Sequence, residues 1–305
     1  MCLVLSYNQP KFTVNTTWKI NAITLRNLNA TNSPFYTVFV NTNDTVYTSS
    51  YANTQIQIWL NGSINPEKII FNSSVYSRSF FVATNGDIYV GNGYNNDQID
   101  KWTWNSNTSI PVMHLKQYCF GIFVDINDVL YCSVHDNHYI ITKSLNTISN
   151  TTKVIAGLGC PGSTSYMLHH PYGIFVDINL DLYVADCGND RVQLFESGTV
   201  NASTIAGRGT TNTISLNCPT AVVLDADNHV FIVDQNNHRI VASLSTGFRC
   251  IIGCFGNGSS SRHLSFPESM AFDSRGNIYV ADRNNNRIQK FIVINETQSK
   301  KSRVL

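Results

Sequence analysis

An apolar strand that ends in aspartate recurs along the chain, and each time a turn and a second apolar strand follow it. The clearest copies are Gly121-Ile-Phe-Val-Asp125, Pro171-Tyr-Gly-Ile-Phe-Val-Asp177, Pro219-Thr-Ala-Val-Val-Leu-Asp225 and Pro267-Glu-Ser-Met-Ala-Phe-Asp273. The second strand carries an aromatic anchor at Tyr131, Tyr183, Phe231 and Tyr279, with weaker copies at Tyr47 and Tyr89. Subtracting these residue numbers gives spacings of 42, 42, 52, 48 and 48. Such periods are typical of four-stranded propeller blades and exceed those of leucine-rich or ankyrin repeats.

The strands within one unit differ in pattern as the strands of a propeller blade do. The first strand, for example 173–176, is continuously apolar, which indicates an inner strand covered on both faces. The third strand, for example 288–291, alternates between apolar and polar residues and is predicted to be half-exposed. We therefore predict an all-β fold, a six-bladed β-propeller of four-stranded antiparallel blades that takes up 1–305 as a single domain. The predicted blades span 34–75, 76–115, 116–160, 166–210, 217–255 and 265–294, before a polar tail at 295–305.

Closure of the ring is predicted from the amino terminus. After Phe291 the sixth unit offers no convincing fourth strand of its own. The stretch Trp18-Lys-Ile-Asn-Ala-Ile-Thr-Leu25 resembles the fourth strands of the other units and precedes the first unit. We predict that segment 12–28 supplies a strand that completes the last blade, which leaves only the short outer edges typical of closed rings.

The turn after the second strand carries a family resemblance. Asp282-Arg-Asn-Asn-Asn-Arg287-Ile288, its two upstream copies and the Tyr-Val-Ala-Asp lead-in resemble NHL repeats, well over about 118–291 and loosely over 34–102. The resemblance implies a six-bladed propeller. The third unit departs from the motif with Val134 and Tyr139 in place of aspartate and arginine, and the first two units have Ser50 or Asn92 and no arginine.

An aspartate and an arginine five residues apart recur in this turn. The pairs are Asp186 with Arg191, Asp234 with Arg239, and Asp282 with Arg287. A carboxylate that accepts from turn amides and a guanidinium five residues on suit a local clamp. Because a scaffold needs such contacts in every unit, we interpret the repeated residues as structural and look for function among the unrepeated ones.

Charge and cysteine usage favour an extracellular protein. With 21 basic and 20 acidic residues and 13% of the chain charged, no single-sign field indicates nucleic acid or anionic lipid as a partner. Eight cysteines fit disulfides formed in an oxidising compartment, with connectivity left open apart from a turn at 253–256 held by Cys250 and Cys254. No apolar run of about 18 residues exists, so no membrane span is expected.

The start of the chain and its glycosylation signals bear on the same question. Met1-Cys-Leu-Val-Leu-Ser-Tyr7 lacks the basic flank and apolar length of a signal peptide, which indicates a module excised from a longer, multidomain chain. Acceptor triplets for N-glycosylation are unusually dense, and they favour the secretory pathway. They begin at Asn15, Asn29, Asn43, Asn61, Asn72, Asn107, Asn150, Asn201, Asn257 and Asn295.

The two sets of loops should lie on opposite faces of the disc, because neighbouring strands run in opposite directions. The fourth-to-first and second-to-third connections form one face. It carries three of the assignable acceptor sites, Asn29, Asn72 and Asn257, and the other face carries six. Bulky glycans hinder docking, so we infer that the less glycosylated face binds the ligand. Its candidate contact residues are His169, His170, Tyr166, His135, His138, His238 and His263.

Four of these histidines are also candidate metal ligands. His169 and His170 precede an inner strand, His135 and His138 lie in the neighbouring unit's turn, and converging imidazoles can hold zinc. No His-x-x-x-His or Cys-x-x-Cys spacing accompanies them. A nucleophile elbow, a phosphate-binding glycine loop and a dinucleotide fingerprint are all absent from the sequence. We predict no catalytic residues and no cofactor, with zinc or calcium as the alternative.

These patterns predict a secreted, non-enzymatic module that binds a protein, peptide or glycan ligand. The first alternative is a zinc-dependent lyase similar to the secreted peptidyl-hydroxyglycine lyases, which resemble this chain in their repeat and for which bound zinc is expected. The second is the propeller of a ubiquitin-ligase-like or RNA-binding protein. Balanced charge, dispersed basic residues and the lack of a RING-type cysteine and histidine array oppose this second alternative.

Overall fold

The computed structural model of the protein is an all-β propeller of six four-stranded antiparallel sheets, as the sequence predicts. Within the described residues no helix is long and apolar enough to cross a membrane. The structure describes residues 5–25, 34–50, 55–60, 63, 66–71, 78–92, 98–104, 108–115, 117, 119–147, 151–211, 213–244 and 247–294.

Each blade runs from an inner strand at the central channel to an outer strand at the rim, in chain order. Blade 1 contains Phe35–Val40, Val46–Ser50, Gln55–Trp59 and Lys68–Phe71, and blade 2 contains Phe80–Val82, Ile88–Asn92, Gln98–Trp102 and Ser109–His114. Blade 3 contains Cys119–Val124, Val129–Val134, Tyr139–Ser144 and Lys153–Gly157, and blade 4 contains Pro171–Val176, Leu182–Asp186, Arg191–Phe195 and Ser203–Gly207. Blade 5 contains Pro219–Leu224, Val230–Asp234, Arg239–Leu244 and Gly247–Ile252, and blade 6 contains Pro267–Phe272, Ile278–Asp282 and Arg287–Phe291. In blades 3 to 6 a short 3-10 helix follows the second strand, at His135–Asn137, Cys187–Asn189, Gln235–Asn237 and Arg283–Asn285.

The amino-terminal segment completes blade 6, which confirms the predicted closure. Ile23–Leu25 pairs antiparallel with Arg287–Phe291, with Thr24 opposite Gln289. The predicted single stretch is broken in two, because Thr17–Trp18 pairs instead with Val293–Ile294. The chain then crosses to the edge of blade 6, where the Ala22 amide donates to the Ser261 carbonyl at 2.9 Å.

Residues that precede the closing strand cross the channel at the end where the inner strands finish, which we call its lower end. The Tyr7 ring lies 5.5 Å from Phe123 and 5.3 Å from Phe175, measured between ring centroids. The Asn8 side-chain amide donates to the carbonyls of Asn41 at 2.8 Å and Phe272 at 3.1 Å, which joins blade 1 to blade 6. This stretch therefore reinforces the same junction that the closing strand seals.

Small residues let neighbouring inner strands approach one another. A Cβ atom on Gly121 would lie 2.6 Å from the Tyr172 carbonyl oxygen, and one on Gly173 would lie 2.5 Å from the Thr220 carbonyl oxygen. Both contacts are with backbone, which cannot move aside cheaply. The equivalent positions in the other four blades are also small: Thr37, Ser79, Ala221 and Ser269.

The Asp and Arg pairs of the repeat motif are in contact in the structure. The Arg287 Nε donates to Asp282 at 2.6 Å, and its terminal nitrogens donate to the carbonyls of Ser259, Ser260 and His263 at 2.7 to 3.0 Å. The other Asp282 oxygen accepts from the Ser265 amide at 2.7 Å. The clamp thus fastens the loop that enters the blade as well as the turn itself.

The clamp fixes geometry more than it adds net stability. Burial raises the pKa of Asp282 above its ordinary value, even though Arg287 and several hydrogen bonds act to lower it. Desolvation therefore outweighs the attraction, as is common for buried ion pairs. The other two pairs have the same geometry, with Nε to carboxylate distances of 2.7 Å at Arg191 and 2.8 Å at Arg239.

Six cysteines form three disulfides among the described residues. Cys250 is bonded to Cys254, as predicted for that turn, and the other two bonds join Cys119 to Cys132 and Cys187 to Cys218. The second of these links the 3-10 helix of blade 4 to the residue before blade 5. Cys160 is exposed and unpaired, and Cys2 lies outside the described residues.

Replacing Arg287 alone by tyrosine should lower the free energy of unfolding by about 3 kcal/mol or more, because it leaves the buried Asp282 carboxylate uncompensated. The double variant Asp282→Val with Arg287→Tyr copies Val134 and Tyr139 of blade 3 and should recover part of this loss. Urea denaturation of both variants measures the difference. A double variant no more stable than the single one would contradict this account.

Candidate functional site

One equivalent position in each blade, at or just before the start of the inner strand, points its side chain toward the mouth of the channel. It lies three residues before Phe39, Phe81, Phe123, Phe175, Val223 and Ala271, which occupy equivalent places in the six strands. In five blades the strand register shifts at this position, and such a bulge re-aims the side chain. The six residues, which we call the mouth ring, are Tyr36, Arg78, Phe120, Tyr172, Thr220 and Glu268, and all six line the same cavity.

Two guanidinium groups share an aromatic surface at the mouth. Arg78 lies over Phe120 at 4.8 Å and over Tyr36 at 5.1 Å, measured to the ring centroids. Arg283, from the 3-10 helix of blade 6, lies over the same Tyr36 ring at 5.2 Å. A guanidinium that stacks on a ring can still donate in its own plane. Arg78 uses part of this capacity on the Tyr172 side chain, and Arg283 faces Glu268. Their remaining donors can recognise a carboxylate.

The only acidic member of the mouth ring is Glu268, which is 7% exposed. Its carboxylate accepts from the Gln235 side chain at 2.5 Å and lies 3.7 Å from Arg283. Burial raises the pKa of Glu268 to about 7, although both arginines act to lower it. At neutral pH this carboxyl is therefore close to half-ionised, and the mouth carries more positive than negative charge.

Aromatic stacking links the mouth ring to a histidine cluster. The His135 ring stacks on Phe120 at 4.1 Å with an interplanar angle of 16°. The Nδ1 atoms of His135 and His170 lie 3.3 Å apart, and the His135 Nδ1 also lies 2.6 Å from Asp136. Burial lowers the pKa of His135 to about 4 and also lowers the pKa of His170, so both imidazoles are neutral at pH 7.

All four histidines predicted as metal candidates meet between blades 3 and 4. The rings of His138 and His170 lie 4.6 Å apart, and His169 lies 4.7 Å from His170 and 5.4 Å from His138. Three groups in this cluster, His135, Asp136 and His170, offer ligand atoms that all lie within 4.8 Å of one another. Asp136 was not among the residues that the sequence singled out.

Two of the histidines predicted for the ligand face accept a backbone hydrogen bond that recurs at equivalent positions of neighbouring blades. The His138 Nδ1 accepts from the His170 amide at 3.1 Å, and the His238 Nδ1 accepts from the Phe266 amide at 3.1 Å. In the intervening blade Asp190 accepts from the Cys218 amide in the same way. Each acceptor ends a 3-10 helix in the left-handed backbone region, and each donor precedes an inner strand.

The remaining predicted contact residues lie in the loops of the same face. Tyr166 is 42% exposed in the loop that enters blade 4, and the His169 amide donates to Asp186 at 2.7 Å. His263 bonds Ser260 at 2.6 Å within the loop that enters blade 6. None of these three residues belongs to the mouth ring.

The sequence could have pointed to the mouth ring through one column of the repeat. Most columns of the aligned units hold similar residues, and this column holds two tyrosines, an arginine, a phenylalanine, a threonine and a glutamate. Arg283 could not be recognised from the sequence as a site residue, because it occupies a variable turn position where the other two clamp-bearing copies have Cys187 and Gln235. Only the closed ring shows that Arg283 approaches Tyr36 of blade 1.

The comparisons with known proteins agree with the repeat and the fold. The NHL repeat model matches residues 216–242 and 264–291. No curated protein matches the chain.

Several solved structures share the fold. A Bacteroides thetaiotaomicron protein of unknown function aligns with a TM-score of 0.71 and 13% identity over 95% of this chain and 75% of that one. A Bacteroides ovatus auxiliary nutrient binding protein aligns with a TM-score of 0.66 and 15% identity over 96% and 77%. Virginiamycin B lyase from Staphylococcus aureus, in a catalytically inactive form with quinupristin, aligns with a TM-score of 0.62 and 12% identity over 92% and 100%. At these identities the likeness shows the fold alone.

Glu268 should make stability depend on pH in a direction opposite to that of most carboxyl groups. Its pKa is about 7 in the folded protein against an ordinary 4.5. Between these two pH values the unfolded chain has released a proton that the folded chain keeps. The stability that Glu268 contributes below pH 4.5 is therefore lost as the pH rises through 7. Relative to Glu268→Gln, the wild type should lose up to about 3 kcal/mol over this range. Parallel pH profiles of unfolding free energy for the two proteins would contradict this.

Proposed function

Since this chain is a six-bladed β-propeller with NHL repeats, we propose that it binds a carboxylate-bearing peptide or glycan at the mouth of its channel. The observation that carries this proposal is the pair of guanidiniums, Arg78 and Arg283, stacked on Tyr36 beside a single carboxyl whose pKa is about 7. Arginine held in this way presents a rigid fork of donors that matches a carboxylate. The flanking rings of Phe120 and Tyr172 suit an aliphatic or sugar group next to that carboxylate.

We place this binding module in the extracellular space. Three disulfides among the described residues are typical of an oxidising compartment. The acceptor asparagines Asn15, Asn43, Asn201 and Asn257 are exposed, and the other six lie outside the described residues. The balanced charge supports a partner other than nucleic acid.

A second candidate function, a lyase, is favoured by Glu268. A buried carboxyl with a pKa of about 7 can accept a proton at neutral pH, and two nearby guanidiniums can stabilise the anion that forms. A hydroxyglycine-extended peptide is a suitable probe for this alternative. Cleavage that Glu268→Gln abolishes would establish an enzyme, and tight binding without turnover supports the binding function.

The binding proposal is tested with arrays that pair each free acid with its neutral form. One arm carries peptides with free and amidated carboxyl termini, and the other carries acidic and neutral glycans. We expect binding only to free acids, in one of the two arms. Arg78→Ala and Arg283→Ala should each weaken it about 10- to 100-fold, as for a lost charge-assisted hydrogen bond.

Arg262→Ala is the matched control, because Arg262 is an exposed arginine of the same face that stacks on Phe255 at 5.0 Å. Its binding should equal that of the wild type. Binding that ignores the carboxylate, or that falls equally in all three arginine variants, would refute the mouth ring as the ligand site.

A further inference from the structure

The contact between blades 3 and 4 brings three metal-ligating groups together beside the mouth ring. His135 and Asp136 open the 3-10 helix that follows the second strand of blade 3, and His170 immediately precedes the inner strand of blade 4. The two histidine Nδ1 atoms lie 3.3 Å apart, and Asp136 lies 2.6 Å from the first of them. We propose that His135, Asp136 and His170 bind one zinc ion that bridges the two blades.

The spacing of the two imidazoles fits a shared tetrahedral ion. Zinc binds histidine nitrogen at about 2.0–2.1 Å, and two such bonds at a tetrahedral angle place the nitrogens about 3.3 Å apart. The His135 and His170 Nδ1 atoms already have this separation. The Asp136 side chain is 43% exposed and needs only a small outward shift to give its oxygen the same spacing.

Three potential ligand atoms converge on one point. The His135 Nδ1 lies 2.6 Å from an Asp136 carboxylate oxygen and 3.3 Å from the His170 Nδ1. A cation at this point would be shared by all three groups. Two imidazoles and a carboxylate form a donor set that zinc prefers, and three protein ligands leave a fourth position for water.

Both rings are held in place by neighbours that do not bind the ion. Phe120 stacks on the His135 ring at 4.1 Å. The His170 backbone is fixed through its amide, which donates to the His138 Nδ1 at 3.1 Å. Such contacts around the ligands orient them before the metal binds, which strengthens a site. His138 therefore positions His170 and stays outside the ligand set.

The next junction of the propeller shows that this scaffold brings these two positions into bonding distance. Cys187 opens the 3-10 helix of blade 4 as His135 opens that of blade 3, and Cys218 precedes blade 5 as His170 precedes blade 4. Those two cysteines form a disulfide. The same structural positions thus hold a covalent bridge at one junction and two metal ligands at the other.

Zinc binding by these three residues does not depend on the proposed carboxylate ligand, so it is tested in the absence of that ligand. Protein purified without a histidine tag and freed of metal with a chelator is titrated with Zn²⁺ by calorimetry. We expect one ion per chain and a higher midpoint of thermal unfolding when Zn²⁺ is bound. His135→Gln and His170→Asn should weaken binding by more than about 100-fold, because even residues around a site cost 10- to 100-fold.

The variants are chosen to keep the fold intact. Asparagine tolerates the positive φ of 51° at position 170, and Asp136→Asn keeps the size of the side chain while removing its charge. His114→Ala is the control, since His114 is exposed on the outer strand of blade 2, and its Zn²⁺ affinity should equal that of the wild type. A variant that loses its folded circular dichroism is replaced by His135→Cys with His170→Cys, which should form a disulfide and bind no Zn²⁺.

Absence of stoichiometric Zn²⁺ binding by the wild type would overturn the proposal. Binding that survives both His135→Gln and His170→Asn would also overturn it, because the ion would then lie elsewhere. Loss of affinity in His114→Ala equal to that in the ligand variants would have the same meaning. These results leave the carboxylate arrays unaffected, so the two proposals can fail separately.

Discussion

The pairing of Ile23–Leu25 with the third strand of blade 6 is the contact on which the rest of the propeller depends. It completes the last sheet with residues from the start of the chain and so joins the two ends of the ring. The candidate site lies across the same junction, because Tyr36 belongs to blade 1 while Glu268 and Arg283 belong to blade 6. Their approach at 5.2 Å between Arg283 and Tyr36 exists only in the closed ring.

Repetition separates what holds the fold from what distinguishes this chain. The small residues of the inner strands recur in all six blades, the left-handed residues that end the 3-10 helices recur in blades 3 to 6, and the Asp and Arg clamps recur in blades 4 to 6, because these blades meet the same geometric demands. The position of the mouth-ring residue recurs in each blade, whereas the chemical type of its side chain varies. A bulge can aim any side chain into the channel, so the fold tolerates five residue types at these six positions.

The sequence was sufficient for the architecture and only partly for the site. Period and strand pattern predict six blades, and the missing fourth strand after Phe291 predicts closure. Loop order along the chain assigns the histidines to one face, and the structure brings four of them together between blades 3 and 4. Their separate roles depend on details that periodicity does not carry: His138 accepts a backbone amide, while His135 and His170 direct their Nδ1 atoms at each other.

Arg78 and Glu268 were missed for physical reasons. Arg78 lies in blade 2, where the repeat motif has decayed, and its stacking on Phe120 of blade 3 requires the curvature of the ring. The raised pKa of Glu268 arises from burial by neighbouring blades that are distant in sequence. Neither property can be read from local composition.

Tyr7 and Asn8 give the channel a floor, because they cross its lower end and bond to the blades on either side. Tyr7 and Asn8 line the same cavity as the mouth residues. Tyr7 packs on Phe123 and Phe175, and the mouth residues Phe120 and Tyr172 lie on the same two inner strands. A ligand seated at the mouth and the amino-terminal segment therefore contact these strands from opposite ends.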